Sequence, residues 1–86
     1  MEIQARLQEL GLELPSSPAP LGAYTPAVRV GQWVYTSGQL PLVKGVLQVR
    51  GRLGEEVSVE EGYQAARIAC LNALAAVAGV VDLDRI

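Results

Sequence analysis

Between Ser58 and Gly79 the chain reads SVEEGYQAARIACLNALAAVAG, and a long helix is the only regular element that accommodates it. Ser58-Val59-Glu60-Glu61 is a capping box: the Ser58 hydroxyl can accept from the Glu61 amide while the Glu61 carboxylate reaches back. Glu60 and Glu61 also complement the positive end of the helix dipole. Alanine, the best helix former, fills the interior, and Gly79 stands where a helix commonly ends. Tyr63, Ala66, Cys70, Leu74 and Val77 mark one apolar face at helical spacing, widened by Val59, Ala69, Ala73 and Ala76. The polar residues Gln64, Arg67 and Asn72 form no continuous stripe opposite. Such a helix is expected to be covered on more than one side, with its alanines allowing close approach.

The partners of this helix lie upstream in the chain. Ile3, Leu7 and Leu10 fall at i, i+4, i+7 among charged residues, which predicts a short amphipathic helix ending near Gly11. LPSSPAPLG, Leu14 to Gly22, has no periodicity and reads as an irregular extended segment. Strand signals begin at Ala27. Val28 and Val30 alternate with Arg29, Gly31-Gln32 interrupts, and Trp33-Val34-Tyr35-Thr36 resumes. A glycine followed by a polar residue suits a two-residue type II′ turn. Ala27–Val30 and Trp33–Ser37 should therefore pair antiparallel, with Arg29 pointing away from the core and Pro41 closing the second strand. Val46 to Val49 is a further strand, entered through a turn at Lys44-Gly45. The sequence ends in VVDLDRI, whose Leu83 and Ile86 are apolar. One helix over so few strands leaves an edge open, and open edges pair with other chains. Further chain or other subunits are expected to cover it.

With 86 residues and half of them hydrophobic, the chain allows a single globular domain with a thin core. The formal net charge is −2, and the six arginines and one lysine are scattered, which gives nucleic-acid binding little electrostatic support. No apolar run approaches the roughly 18 residues of a membrane span, and charges interrupt MEIQARLQEL where a signal peptide needs an apolar stretch. A cytoplasmic location is expected. The lone cysteine, Cys70, excludes an internal disulfide, and the lack of histidine removes the commonest general base and metal ligand. No metal and no cofactor are expected. Cys70 itself is expected to be a buried small residue of the helix.

The candidate chemistry is correspondingly narrow. Gly51-Arg52-Leu53-Gly54 lacks the ending of a phosphate loop and reads as a turn. Asp82-x-Asp84 lacks the rest of a calcium loop and reads as solvated linker. Asn72, polar on an apolar helix, suits a hydrogen bond to a neighbouring strand or subunit. Tyr24, in GAYTP before the first strand, can either plug an apolar gap or meet a ligand. Ser37 and Gly38 stand where a packed strand would be expected to continue. Serine catalysis needs a base, and histidine is absent, so Ser37 is left with hydrogen bonding and Gly38 with close backbone approach.

GAYTPAVRVGQWVYTSGQLP, Gly22 to Pro41, resembles the early segment of the RidA (YjgF) family. Pro20, Gly22, Tyr24, Gly31, Ser37, Gly38, Gln39 and Pro41 fit the family's pattern of a Pro-x-Gly-x-Tyr lead, a hairpin and Ser-Gly-Gln-x-Pro. GRLGEEVSVEEGYQAARIACLNALAAV looks like its glycine turn and first long helix. The resemblance spans residues 14 to 86, with residues 1–13 an N-terminal helical extension of one domain covering 1–86. It implies an α+β, chorismate-mutase-like fold, a mixed sheet with helices on one face, incomplete in this chain. It also implies homotrimers with ligand clefts between subunits, bordered by Tyr24, Ser37 and Gly38, and a small carboxylate-bearing metabolite as ligand. The activity implied is hydrolysis of reactive enamines and imines to 2-oxo acids and ammonia. The family's substrate-clamping arginine lies beyond the first long helix, in a region this chain does not contain, and Arg50, Arg52 and Arg67 do not match it. The alternatives are a non-catalytic binding or regulatory module on the same trimeric scaffold, or a chain without a complete site.

Overall fold

The structure is a computed structural model, and it describes residues 2–16 and 25–86. The elements run in the order α1 (Glu2–Glu9), β1 (Ala27–Val30), β2 (Trp33–Thr36), β3 (Leu42–Val43), β4 (Val46–Leu47) and α2 (Val59–Ala78), ending in a 3-10 turn at Leu83–Arg85. The architecture is α+β, as expected. Helix α1 ends where its sequence predicts: Gly11 takes φ 70°, and the Leu12 amide reaches back to the Leu7 carbonyl at 2.8 Å.

Both hairpins are dictated by their turn residues. β1 and β2 pair antiparallel in the register Ala27–Thr36, Val28–Tyr35, Arg29–Val34 and Val30–Trp33. Gly31 has φ 61° while Gln32 stays out of the left-handed region, which is the type II′ pattern. β3 and β4 pair Leu42 with Leu47 and Val43 with Val46. Here Lys44 and Gly45 both have positive φ, 51° and 80°, as a type I′ turn requires. The strand expected over Val46–Val49 is thus shorter, and its partner forms immediately after Pro41. The two hairpins are separate sheets, and the one parallel pairing among the described residues is the isolated Leu53–Val57 bridge.

Helix α2 carries the expected capping box. The Glu61 amide donates to Ser58 Oγ at 3.1 Å, and the Ser58 amide donates to Glu61 Oε1 at 3.0 Å. Which face it buries differs from expectation. Asn72, Ala75 and Ala76 are buried, while Tyr63, Ala66 and Cys70 are exposed. Cys70 is a free, exposed thiol rather than a core residue. The physical reason is that α2 is apolar nearly all round, so periodicity alone cannot choose its inner face. Close approach to the hairpins selects the alanine-lined side, and bulky Tyr63 is left outside, with the Arg67 guanidinium 5.7 Å from its ring centre.

The first hairpin repeats this inversion. Opposite residues share a face, so Ala27, Thr36, Arg29 and Val34 lie on one side and Val28, Tyr35, Val30 and Trp33 on the other. Ala27 is the buried residue, which makes the first set the helix side. Arg29 therefore belongs to the helix-side face, contrary to expectation, and the four larger apolar residues face outward. Trp33 is 70% exposed. At the far end of α2, Asp82 Oδ1 accepts from the Asp84 amide at 3.0 Å, and Asp84 Oδ1 accepts from the Ile3 amide at 2.9 Å. Asp82 thus caps the 3-10 turn and Asp84 ties that turn to α1, so these exposed residues are more than linker.

Candidate functional site

The ladder of the first hairpin outlasts its strands. The Ser37 amide donates to the Pro26 carbonyl at 3.0 Å, which holds Ser37 in register one residue beyond β2. Its Oγ lies 3.4 Å from the same carbonyl. The Gln39 side-chain amide folds back to within 3.4 Å of both the Ser37 carbonyl and Ser37 Oγ. Ser37 and Gln39 are half-buried, and Gly38 between them is exposed. The strand end is thus a small polar cluster with a bare stretch of backbone in its middle.

Asn72 fixes the backbone from Leu40 to Leu42. Its Nδ2 donates to the Leu40 carbonyl at 3.0 Å and to the Leu42 carbonyl at 2.9 Å, across about thirty positions of sequence. The residue is 3% exposed. A buried amide is costly unless its hydrogen bonds are met, and here both amide protons are used. The helix therefore grips the backbone on either side of Pro41 through one polar residue on its inner face. This is the role the sequence suggests for Asn72.

Gly38 has an unusual freedom. Its φ is not in the left-handed region, and among the described residues no atom lies within 4 Å of where a Cβ would stand. Among the described residues nothing requires glycine there. Gly51 is the contrast: φ 128° and the Glu56 side chain pressed against it explain that glycine entirely.

Of the site residues expected from sequence, Ser37 and Gly38 come together at the strand end. Tyr24 lies outside the described residues. Gln39 joins the cluster although sequence reasoning does not assign it to the site; its place in Ser-Gly-Gln-x-Pro is the available signal. The two carboxylates displaced from their ordinary range sit elsewhere. The Ser58 amide, with help from its hydroxyl, holds Glu61 below 4.5, and the Arg52 amide does the same for Glu56. Both are structural caps.

A family model described as "YjgF/chorismate_mutase-like, putative endoribonuclease" matches residues 4–86. The chain belongs to this family. It is 38% identical over 85 residues to Protein TCP17 of Trypanosoma cruzi, covering 98% of this chain and 53% of that protein. It is similar to a crystal structure described as "a putative endoribonuclease" from Shewanella oneidensis MR-1, with TM-score 0.82 and 46% identity over 88% of this chain and 50% of that one. A structure of a protein "with unknown function" from Agrobacterium tumefaciens matches with TM-score 0.76 and 38% identity, over 90% of this chain and 46% of that one. The YjgF/chorismate-mutase-like fold is thereby established. The chain spans about half the length of these relatives. Among the described residues no helix is long and apolar enough to cross a membrane.

Proposed function

We propose that this chain forms part of a RidA-type cytoplasmic protein that hydrolyses small reactive enamines and imines at a cleft beside Ser37, Gly38 and Tyr24. The observation that carries the reading is Gly38. A glycine with ordinary φ and, among the described residues, open space around it suits close approach of a ligand or of further protein to the backbone. Ser37 Oγ and the Gln39 amide then offer hydrogen bonds on either side of that approach. An enamine first tautomerises to its imine, a proton passing from nitrogen to carbon; water then adds to the C=N carbon, and ammonia leaves the carbinolamine to give the carbonyl product. Ser37 and Gln39 can hold the ligand or the water; no residue of this chain is assigned the proton transfers. The substrate carboxylate would be gripped by protein beyond these residues.

Association belongs to the same proposal. Val28, Val30 and Tyr35 form an outward apolar face on the first hairpin, and contiguous exposed apolar surface marks an interaction site. Packing these faces about a common axis in a homotrimer would cover them and create clefts between copies. Ribonuclease action, the description attached to the family and to one relative, finds less support here. The chain has no histidine, a net charge of −2 and a pI of about 4.9, and RNA binding rests on clustered cations.

The test generates 2-aminoacrylate in solution and measures ammonia and pyruvate release with and without the protein. The expected result is a rate above the spontaneous one that falls with Ser37→Ala and is lost with Gly38→Val, a change the fold accommodates. No acceleration, with Gly38→Val still blocking small-carboxylate binding, would establish a binding module instead. Cleavage of RNA alone, insensitive to Gly38→Val, would overturn both.

A further inference from the structure

The strand-end cluster is held at both ends and left free in its middle. On one side the Ser37 amide is tied to the Pro26 carbonyl at 3.0 Å, which carries the register of the first hairpin up to Ser37. On the other side three successive carbonyls are engaged. The Leu40 and Leu42 carbonyls accept from Asn72 Nδ2 at 3.0 and 2.9 Å, and the Pro41 carbonyl accepts from the Gln48 amide at 3.0 Å. Pro41 fixes its own φ and confines Leu40 to an extended conformation, so the direction of the chain into this anchor is set as well. Between the anchors lie Gly38 and Gln39. Among the described residues neither makes a backbone–backbone hydrogen bond. Their backbone takes its position from its two ends.

The second anchor belongs to the helix. The Gln48–Pro41 bond continues the β3–β4 register by one residue and travels with that hairpin. Asn72 ties the same point to α2. Among the described residues it is the side chain of α2 that hydrogen-bonds to either hairpin. It is buried, and both its amide protons are spent on the carbonyls, so it has nothing left to offer a ligand directly. Groups carried on a rigid element are held more precisely than groups carried on a loop. The loop at the strand end borrows that precision from a capped helix.

We infer that Asn72 is the positioning residue of the strand-end site: from the inner face of α2 it sets where Gly38 and Gln39 stand relative to Ser37. The inference rests on the reading of that strand end as a ligand cleft. Its consequence reaches beyond stability, because displacing reacting groups by about 1 Å can cost about a hundredfold in rate. Without the amide, the freed carbonyls turn toward other donors, and the bridge of Gly38 and Gln39 swings with them.

Three variants separate position from stability. Asn72→Ala deletes the anchor. Asn72→Gln keeps both amide protons but is one methylene longer, so it displaces the anchor. Ala76→Gly, one turn further along the same buried face, weakens the helix and removes no side-chain hydrogen bond. With 2-aminoacrylate as substrate, well below each thermal midpoint, kcat/KM should fall about tenfold or more in both Asn72 variants and hold its wild-type value in Ala76→Gly, even where the midpoints fall equally. In a protein that binds pyruvate without turnover, the same contrast of about tenfold is expected in its Kd. Where the Asn72 variants do not fold, the wild-type protein carries the test: pyruvate that shifts the Ser37 and Gly38 amide resonances should also shift the Asn72 side-chain amide protons. Wild-type kcat/KM or Kd in folded Asn72→Gln, a matching loss in Ala76→Gly, or Asn72 protons unmoved by saturating pyruvate would overturn the inference and leave the reading of the cleft standing. Wild-type protein that neither turns over 2-aminoacrylate nor shows those backbone shifts with pyruvate would overturn the reading of the cleft, and the inference with it.

Discussion

Asn72 concentrates much of what the fold needs in one side chain. It is the buried polar residue of an otherwise apolar contact, and both its amide protons are engaged by the carbonyls flanking Pro41. Asn72→Ala would strand two carbonyls that the helix still shields from water. Leaving such groups unpaired costs about 1–3 kcal/mol, so a clear drop in the thermal midpoint is expected, together with loss of hydrogen-exchange protection around Leu40–Leu42. A midpoint equal to wild type would mean that water replaces the amide freely. The role of Asn72 is legible in the sequence because a lone polar residue in an alanine-rich helix needs a reason. Gln39 is harder to see, since its function depends on folding back two residues, which no periodicity encodes.

At the scale of elements, the ends are readable and the faces are not. Ser58, Gly11, Gly31 and Lys44-Gly45 each impose a local geometry that the backbone then adopts. Facing is a collective property. In α2 apolar residues run nearly all round, and in β1 the hydrophobic alternation matches the outward side. The usual assumption that the bulkier set faces inward therefore misplaces Arg29 and Cys70. The cap of α2 carries a pH dependence of definite sign. Glu61 is held below its ordinary value of 4.5 by the Ser58 amide and hydroxyl. A depressed carboxylate contributes stability that is full above its unfolded value and lost as pH falls through the lower folded one. Helix signal should therefore decline on acidification below about pH 4.5, and Glu61→Gln should flatten that decline by removing the titrating group. An unchanged acid profile in Glu61→Gln would place the transition in another group.

For the molecule as a whole, the notable fact is how much apolar surface lies outside. The outer face of the first hairpin and the Tyr63–Cys70 side of α2 are both uncovered, and the chain spans about half the length of its relatives. The fold class and family are visible in the order of motifs. The exposure of these faces is not, because it is set by which side of each element the helix and hairpins turn toward one another. If the hairpin face mediates association, Val30→Glu should shift the protein toward monomer in light scattering after gel filtration. Unchanged mass would exclude that face.

The bond from the Ile3 amide to Asp84 spans 81 positions of sequence. During synthesis α1 is made well before its partner, which is added only after α2 has been translated. Helix α1 is thus translated long before the bond that ties it to the 3-10 turn can form.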